Sequence, residues 1–365
     1  MPDFTSALYL GIEHGSRQLA GWDRLTLGKP AALEPPPGAA EVERQLASLV
    51  GCEEAVLATS TLHVFHDLLP ILSRRGFRLF VDEGLYPIGM WGVERAAALG
   101  TPVTRFPRHD AKALWQAIAN TKSGRPLVVA DGFCVSCGTT APLRSYIDCV
   151  TARDGLVMID DTQAVGIMGC DPGPRSPYGS GGGGSLSLAK IRSPRVVVVS
   201  SLAKAFGAPV ALVAGSRQLI SEFLSSSATR VHCSPPSVAA IAAAAHALAV
   251  NARCGDALRS ALAHRVARLR RGLGRLAAAA SVFPVQHVRL PACIDPIRVH
   301  ARLCERGVRT VLTRLESNRT TITFVLTARH TDAEIDQALE ALAIATHGGN
   351  RTTHASWGGG SGNGR

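Results

Sequence analysis

Lysine is scarce in this chain. Lys29, Lys112, Lys122, Lys190 and Lys204 are the only five, within a total of 39 Lys and Arg. Arginine stays protonated in proteins, so it serves as neither amine nucleophile nor base near pH 7. Any amine chemistry therefore falls to one of five side chains. Aromatic residues make up only 5% of the chain, and no stacking run or zinc-finger spacing accompanies the net charge of +11. That excludes the common nucleic-acid modules. No apolar run approaches the roughly 20 residues of a membrane span. The opening "MPDFTSALYLGIEHGSRQ" lacks the basic-then-apolar order of a secretory signal. Nine cysteines, odd in number and scattered, indicate reduced thiols and a cytoplasmic protein. "CVSC" (134–137) has redox or metal spacing. With no second Cys/His pair at a matching interval it reads as structural, and no metal site is expected.

Helical and strand patterns alternate after an arm at 1–38. "AAEVERQLASLVG" carries apolar residues at helical spacing and ends on Gly51. The apolar runs "AVLA" (55–58), "RLFVD" (78–82), "PLVVAD" (126–131), "LVMIDD" (156–161), "RVVVVSS" (195–201) and "PVALVAG" (209–215) follow, with helical stretches between several of them. Strands that are apolar throughout, interleaved with helices, predict an α/β fold: a mostly parallel sheet covered on both faces. That domain is expected over 39–234. A long helix and a smaller C-terminal α+β unit occupy 235–348, and a disordered Gly-rich tail 349–365. "GSGGGGS" (179–185) inside the sheet domain reads as a mobile surface loop. "AHRVARLRRGLGRLAAAA" (263–280) reads as the solvated face of an amphipathic helix.

Ligands of open α/β sheets bind beyond the carboxyl ends of the strands. Lys190 precedes the strand "RVVVVSS", whereas Lys204 follows it and so lies at the ligand edge. "LVMIDD" delivers Asp160 to the same edge. An acid at one strand end and a lone lysine at another point to pyridoxal phosphate, held by the lysine as a Schiff base with the carboxylate on its pyridine nitrogen.

At these residues the chain resembles the α-oxoamine synthases, a branch of the fold type I pyridoxal-phosphate enzymes. "SSLAKAFGAPVALVAG" resembles their Schiff-base segment, "VMIDDTQAVGIMG" their Asp-x-x-His-x-x-Gly segment, and "GTTAPLRSYIDC" their Ala-Pro-Leu segment. "LTARHTDAEIDQALEAL" resembles their C-terminal helix entry, and the likeness runs from about 40 to 346. It implies a homodimer with each active site at the subunit interface. It also implies Lys204 as the Schiff-base lysine, Asp160 as the pyridinium partner and Ser201 as a phosphate-binding hydroxyl. Ser60, Thr61 and Leu62, in "TSTLHVF", match a phosphate-holding helix start. His232 would reach the partner subunit's phosphate site.

The chain departs from the family at several of these positions. Tyr86 stands where the family stacks a histidine on the ring, and Gln163 where it sets a histidine against the phenolic oxygen. The family's serine near that oxygen aligns with Val135, with Ser136 adjacent, and its carboxylate-gripping arginine aligns with Thr323. Arg314, Arg319 and Arg329 lie nearby in the sequence and are the candidates to replace it. The leading expectation is a transferase that joins an acyl thioester to an amine or amino acid. An aminotransferase is the second reading, favoured by Gln163, Tyr86 and the missing arginine. A retired homologue acting as a binding protein is the third, opposed by the presence of both Lys204 and Asp160.

Overall fold

Strands that are apolar on both faces need cover on both faces, and the central sheet is built that way. The computed structural model describes residues 1–15, 25–278, 281–315 and 319–347. The expected Gly-rich tail at 349–365 lies outside the described residues. Seven strands form the sheet: β1 (Glu54–Ala58), β2 (Phe77–Asp82), β3 (Val103–Phe106), β4 (Arg125–Asp131), β5 (Leu156–Asp160), β6 (Val196–Ser201) and β7 (Ala211–Gly215). Their order is β1-β7-β6-β5-β4-β2-β3, and β7 alone runs against its neighbours. In β4, Leu127 and Val129 enter one core while Val128 and Ala130 enter the other; Val197 and Val199 alternate with Val196 and Val198 in the same way on β6. The short edge strand β3 has no counterpart in the sequence reading. It is four residues long and carries the exposed Arg105, so its apolar signal is weak.

Three further strands, β8 (Val285–His287), β9 (Val311–Arg314) and β10 (Thr320–Val325), form a small antiparallel sheet in the order β8-β10-β9. The helix Pro296–Glu305 packs on it, and the helix Asp332–His347 packs on that helix and on the long helix Val238–Leu273 that precedes the sheet. That long helix corrects two readings. It contains a stretch long and apolar enough to cross a membrane, yet Ala239, Ile241, Ala244, Ala247 and Leu248 are buried within the fold, so it is a core helix. Its arginines are also less free than a solvated face implies. Arg265 pairs with Asp332, Arg268 donates to Asp336 at 2.9 Å, and Arg270 donates to Gln286 Oε1 at 2.8 Å. Arg265 and Arg268 fix the C-terminal helix and Arg270 fixes the start of the small sheet, while Arg271 and Arg275 stay exposed.

The arm is integrated rather than loose. Phe4 N donates to Arg309 O and Val325 N to Phe4 O, both at 2.9 Å, and Tyr9 and Leu10 are buried.

The glycine run is a further correction, because Gly182, Gly183, Gly184 and Ser185 are buried. Gly166 N donates to Gly182 O and Gly184 N to Met168 O, both at 2.8 Å. Ser185 donates to the Asp161 carboxylate from its backbone N at 2.9 Å and from its hydroxyl. The chain passes too close to Asp161 for a side chain. A Cβ on Gly184 (φ +82) would lie 2.1 Å from Asp161 Oδ2, whereas one on Gly181 (φ +83) would meet nothing. Both share the left-handed penalty of about 1–2 kcal/mol, and only Gly184 adds overpacking of about 1–3 kcal/mol. Gly184→Ala should therefore lower unfolding free energy clearly more than Gly181→Ala in denaturant titrations. Equal losses would show that the loop opens without cost.

Burial raises the Asp161 carboxyl from 3.8 to about 6 despite the Ser185 hydrogen bonds. Between those pH values the folded chain holds a proton that the unfolded chain has released, so stability falls as pH rises through this window. At about 1.4 kcal/mol per pH unit the loss amounts to about 3 kcal/mol. The stability difference between the parent and Asp161→Asn should shrink by that order from pH 4 to pH 6 and then stay level. A difference independent of pH would mean that Asp161 titrates as an ordinary carboxylate.

Candidate active site

Three parallel strands end in aspartate at the same edge: Asp82 on β2, Asp131 on β4 and Asp160 on β5. Asp131 and Asp160 are register partners across β4 and β5. Asp82 is buried and saturated by Gly84 N at 2.7 Å, the Tyr146 hydroxyl at 2.8 Å and His109 N at 3.0 Å. Asp131 accepts from Tyr86 N at 3.1 Å and Asp160 from Thr162 N at 3.0 Å. Burial pushes the Asp160 carboxyl up, opposed by the Thr162 hydrogen bonds and then by the Lys204 charge. Asp131 is pushed well up, first by burial and next by the negative charge of Asp160.

Lys204 enters the same space from the loop between β6 and β7. Leu202 N donates to Val210 O at 2.8 Å and Ala208 N to Leu202 O at 3.1 Å, closing the neck of that loop. Burial pushes the Lys204 ammonium down, while Asp160 and then Asp131 hold it up. Its Nζ lies 5.9 Å from the centre of the Tyr86 ring. Lys190 is elsewhere, at the left-handed end of a short helix, and pairs with Asp171 at 2.5 Å.

These groups line one cavity of about 720 Å³. Thr61, Tyr86, Ser136, Asp160, Gln163, Ser201, Lys204, Arg314 and Thr323 are among its walls, so most of the residues expected from the sequence meet there. Ser60 instead caps the helix Thr61–Arg74, accepting from His63 N at 3.4 Å, and Thr61 at that helix start lines the cavity. Leu62 is 39% exposed and does not line the cavity. His232 is exposed at the end of a short helix, away from this chain's own cavity.

Two of the three arginines are misplaced in the sequence reading. Arg329 donates to Gly11 O and pairs with Glu13. Arg319 lines a separate cavity of about 530 Å³ beside the small sheet. Arg319 precedes β10 and Arg329 follows it, whereas Arg314 ends β9 at the cavity. The small sheet also brings residues the sequence did not single out. His287 Nδ1 lies 2.8 Å from Thr323 Oγ1, and Thr323 donates onward to Thr313 at 2.8 Å. Tyr9 from the arm donates to Gln163 Oε1 at 2.8 Å. Burial pushes the Tyr9 hydroxyl far up, so it remains a neutral donor. Asp131 and Asp82 could have been found, because "PLVVAD" and "RLFVD" end in acids at the edge that holds Asp160. No signal within a short segment marks Tyr9 or His287.

The donor set fits pyridoxal phosphate. It offers one amine of lowered proton affinity, a buried carboxylate for a pyridinium, and hydroxyls with a helix start for a phosphate.

The comparisons agree. The model of the aminotransferase class I and II family matches residues 23–342. An 8-amino-7-oxononanoate synthase of Methylococcus capsulatus is 30% identical over 314 residues, covering 83% of this chain and 76% of that one. Among solved structures, serine palmitoyltransferase of Sphingomonas wittichii superimposes with a TM-score of 0.78 at 17% identity, covering 94% of this chain and 86% of that one. The 8-amino-7-oxononanoate synthase of Francisella tularensis gives 0.74 at 17% identity, covering 94% and 97%. The two structures share the fold. With the lysine and the acid in one cavity at the sheet edge, the chain belongs to the aminotransferase class I and II family and is a pyridoxal-phosphate-dependent transferase of fold type I, similar to the α-oxoamine synthases.

Proposed function

We propose that this transferase condenses an acyl thioester with an amino acid at the cavity that holds Lys204. The observation that carries the reading is the likeness to an 8-amino-7-oxononanoate synthase across 83% of the chain, together with Lys204 and Asp160 in one cavity. Pyridoxal phosphate, when bound, supplies an electron sink for the pair left on the carbon that bears the amine. Lys204 would hold it covalently, and its Nζ would be the group that holds and moves the proton at that carbon. Asp160 would keep the pyridine nitrogen protonated. Gln163, its Oε1 engaged by Tyr9, would direct its amide N–H to the phenolic oxygen. Tyr86 would lie against the ring. Thr61, Ser201 and the helix start at Ser60–Leu62 would hold the phosphate, and Ser136 would flank the oxygen side. Arg314 would meet the substrate carboxylate, with Thr323 beside it.

A homodimer suits the exposed Leu62 and Trp91, which sit on two adjacent helices, and the exposed Tyr86, which caps the second of them at the cavity. It would let His232 serve the partner's site. Nine free cysteines suit a reducing cytoplasm.

Transamination is the second reading, favoured by Gln163 and Tyr86. The two readings separate when the loaded protein meets a panel of amino acids and coenzyme A thioesters. Condensation releases free thiol only when both substrates are present. Release of no thiol, with full conversion of the cofactor to its amine form by an amino acid alone, would establish transamination.

A further inference from the structure

The "CVSC" segment forms the turn of a small hairpin, Phe133–Cys134 paired with Thr139–Thr140, and Cys134, Val135 and Ser136 line the Lys204 cavity. Both cysteines are free thiols, Cys134 buried and Cys137 half-exposed. They face each other across the turn. Cys137 N donates to Cys134 Sγ at 3.4 Å, and Cys137 Sγ lies 3.9 Å from Cys134 O. Cys137 Sγ also lies 3.1 Å from Thr139 Oγ1, which is 3.3 Å from His109 Nδ1. The accessible thiol therefore has a two-step path for its proton, through a hydroxyl to an imidazole. Burial pushes the His109 proton affinity down, which leaves that nitrogen free to accept.

We infer that Cys134 and Cys137 are a reversible disulfide site in the cavity wall, oxidised by a low-molecular-weight disulfide that reacts first at Cys137. The Cys137 proton passes by way of Thr139 to His109, and the thiolate attacks one sulfur of the small disulfide. That S–S bond breaks, and one small thiol leaves with a proton. The Cys134 thiol then attacks the Cys137 sulfur of the mixed disulfide and expels the second small thiol. In sum, two protein thiols and one small disulfide give one protein disulfide and two small thiols. Exposure of the attacking sulfur and burial of the resolving one set the order of events. Closure to an S–S length of about 2.05 Å tightens the turn that carries Val135 and Ser136, so the site does not depend on the proposed reaction to be detected.

The test equilibrates the cofactor-loaded protein in buffers of glutathione and glutathione disulfide, then alkylates it and maps its peptides. The peptide spanning 126–144 should lose both alkylatable thiols together, at a mass about 2 Da below the reduced form, and regain them in dithiothreitol. Cys134→Ser should leave one glutathione on Cys137, and Thr139→Val should slow oxidation without changing its final extent. Two thiols that stay alkylatable in the most oxidising buffer would overturn the inference. So would a Cys134→Ser protein with no glutathione on Cys137.

Discussion

Lys204→Ala should lose covalent retention of the cofactor and cut turnover by about 10⁴-fold or more, the upper end of what a positioned acid–base group supplies. Lys190→Ala should do neither. The two lysines end the same tetrapeptide, SLAK, on opposite sides of β6. Lys204 faces the carboxylates of Asp160 and Asp131 inside the cavity, and its own burial lowers the amine's proton affinity. Lys190 is paired with Asp171 at the surface. Borohydride reduction of the loaded protein and peptide mapping should place the cofactor on Lys204. A label on Lys190 would remove the basis for the whole site.

Asp160→Asn should separate the stability of the loaded protein from that of the empty one. In the empty chain Asp160 and Asp131 are register neighbours, and the charge of Asp160 disfavours that of Asp131. The amide relieves that repulsion and still accepts from Thr162 N, so the melting temperature of the empty protein should hold or rise. With the cofactor bound, the variant lacks the partner of a buried cation, a loss of about 3–5 kcal/mol. Retention should weaken accordingly, and turnover should fall because the pyridine nitrogen no longer keeps its proton. Melting curves with and without pyridoxal phosphate measure both effects. A variant that retains the cofactor as the parent does would assign the acid's role to Asp131.

What the sequence disclosed, it disclosed through local signals. A strand buried on both faces reads as an unbroken apolar run, so six of the seven central strands and their ligand edge were visible. Lys204 and Asp160 followed from their place at strand ends. The glycine run was misread because composition reports backbone freedom, not the Asp161 carboxylate that forbids a Cβ there. The arginines near 314–329 were misjudged because sequence distance does not say where the segments flanking a strand turn: Arg329 is tied to the arm through Glu13 and Arg319 opens onto another cavity. Tyr9 was missed because its partner, Gln163, is 154 residues away.

That arm has a consequence for how the molecule is made. Residues 3–12 are synthesised about 300 residues before their docking partners Arg309 and Val325. Asp3 and Arg309 are 306 residues apart in the chain. At about 5–20 residues per second, the arm waits on the order of a quarter of a minute or longer with Phe4, Tyr9, Leu10 and Ile12 uncovered. Through that interval the arm lacks the C-terminal strands that anchor it, so the Tyr9 brace on Gln163 lacks the backbone contacts that fix its position. Completion of the site is thus tied to completion of the C-terminal sheet, and a chain stalled before residue 309 would carry the lysine and the acids but not the finished pocket.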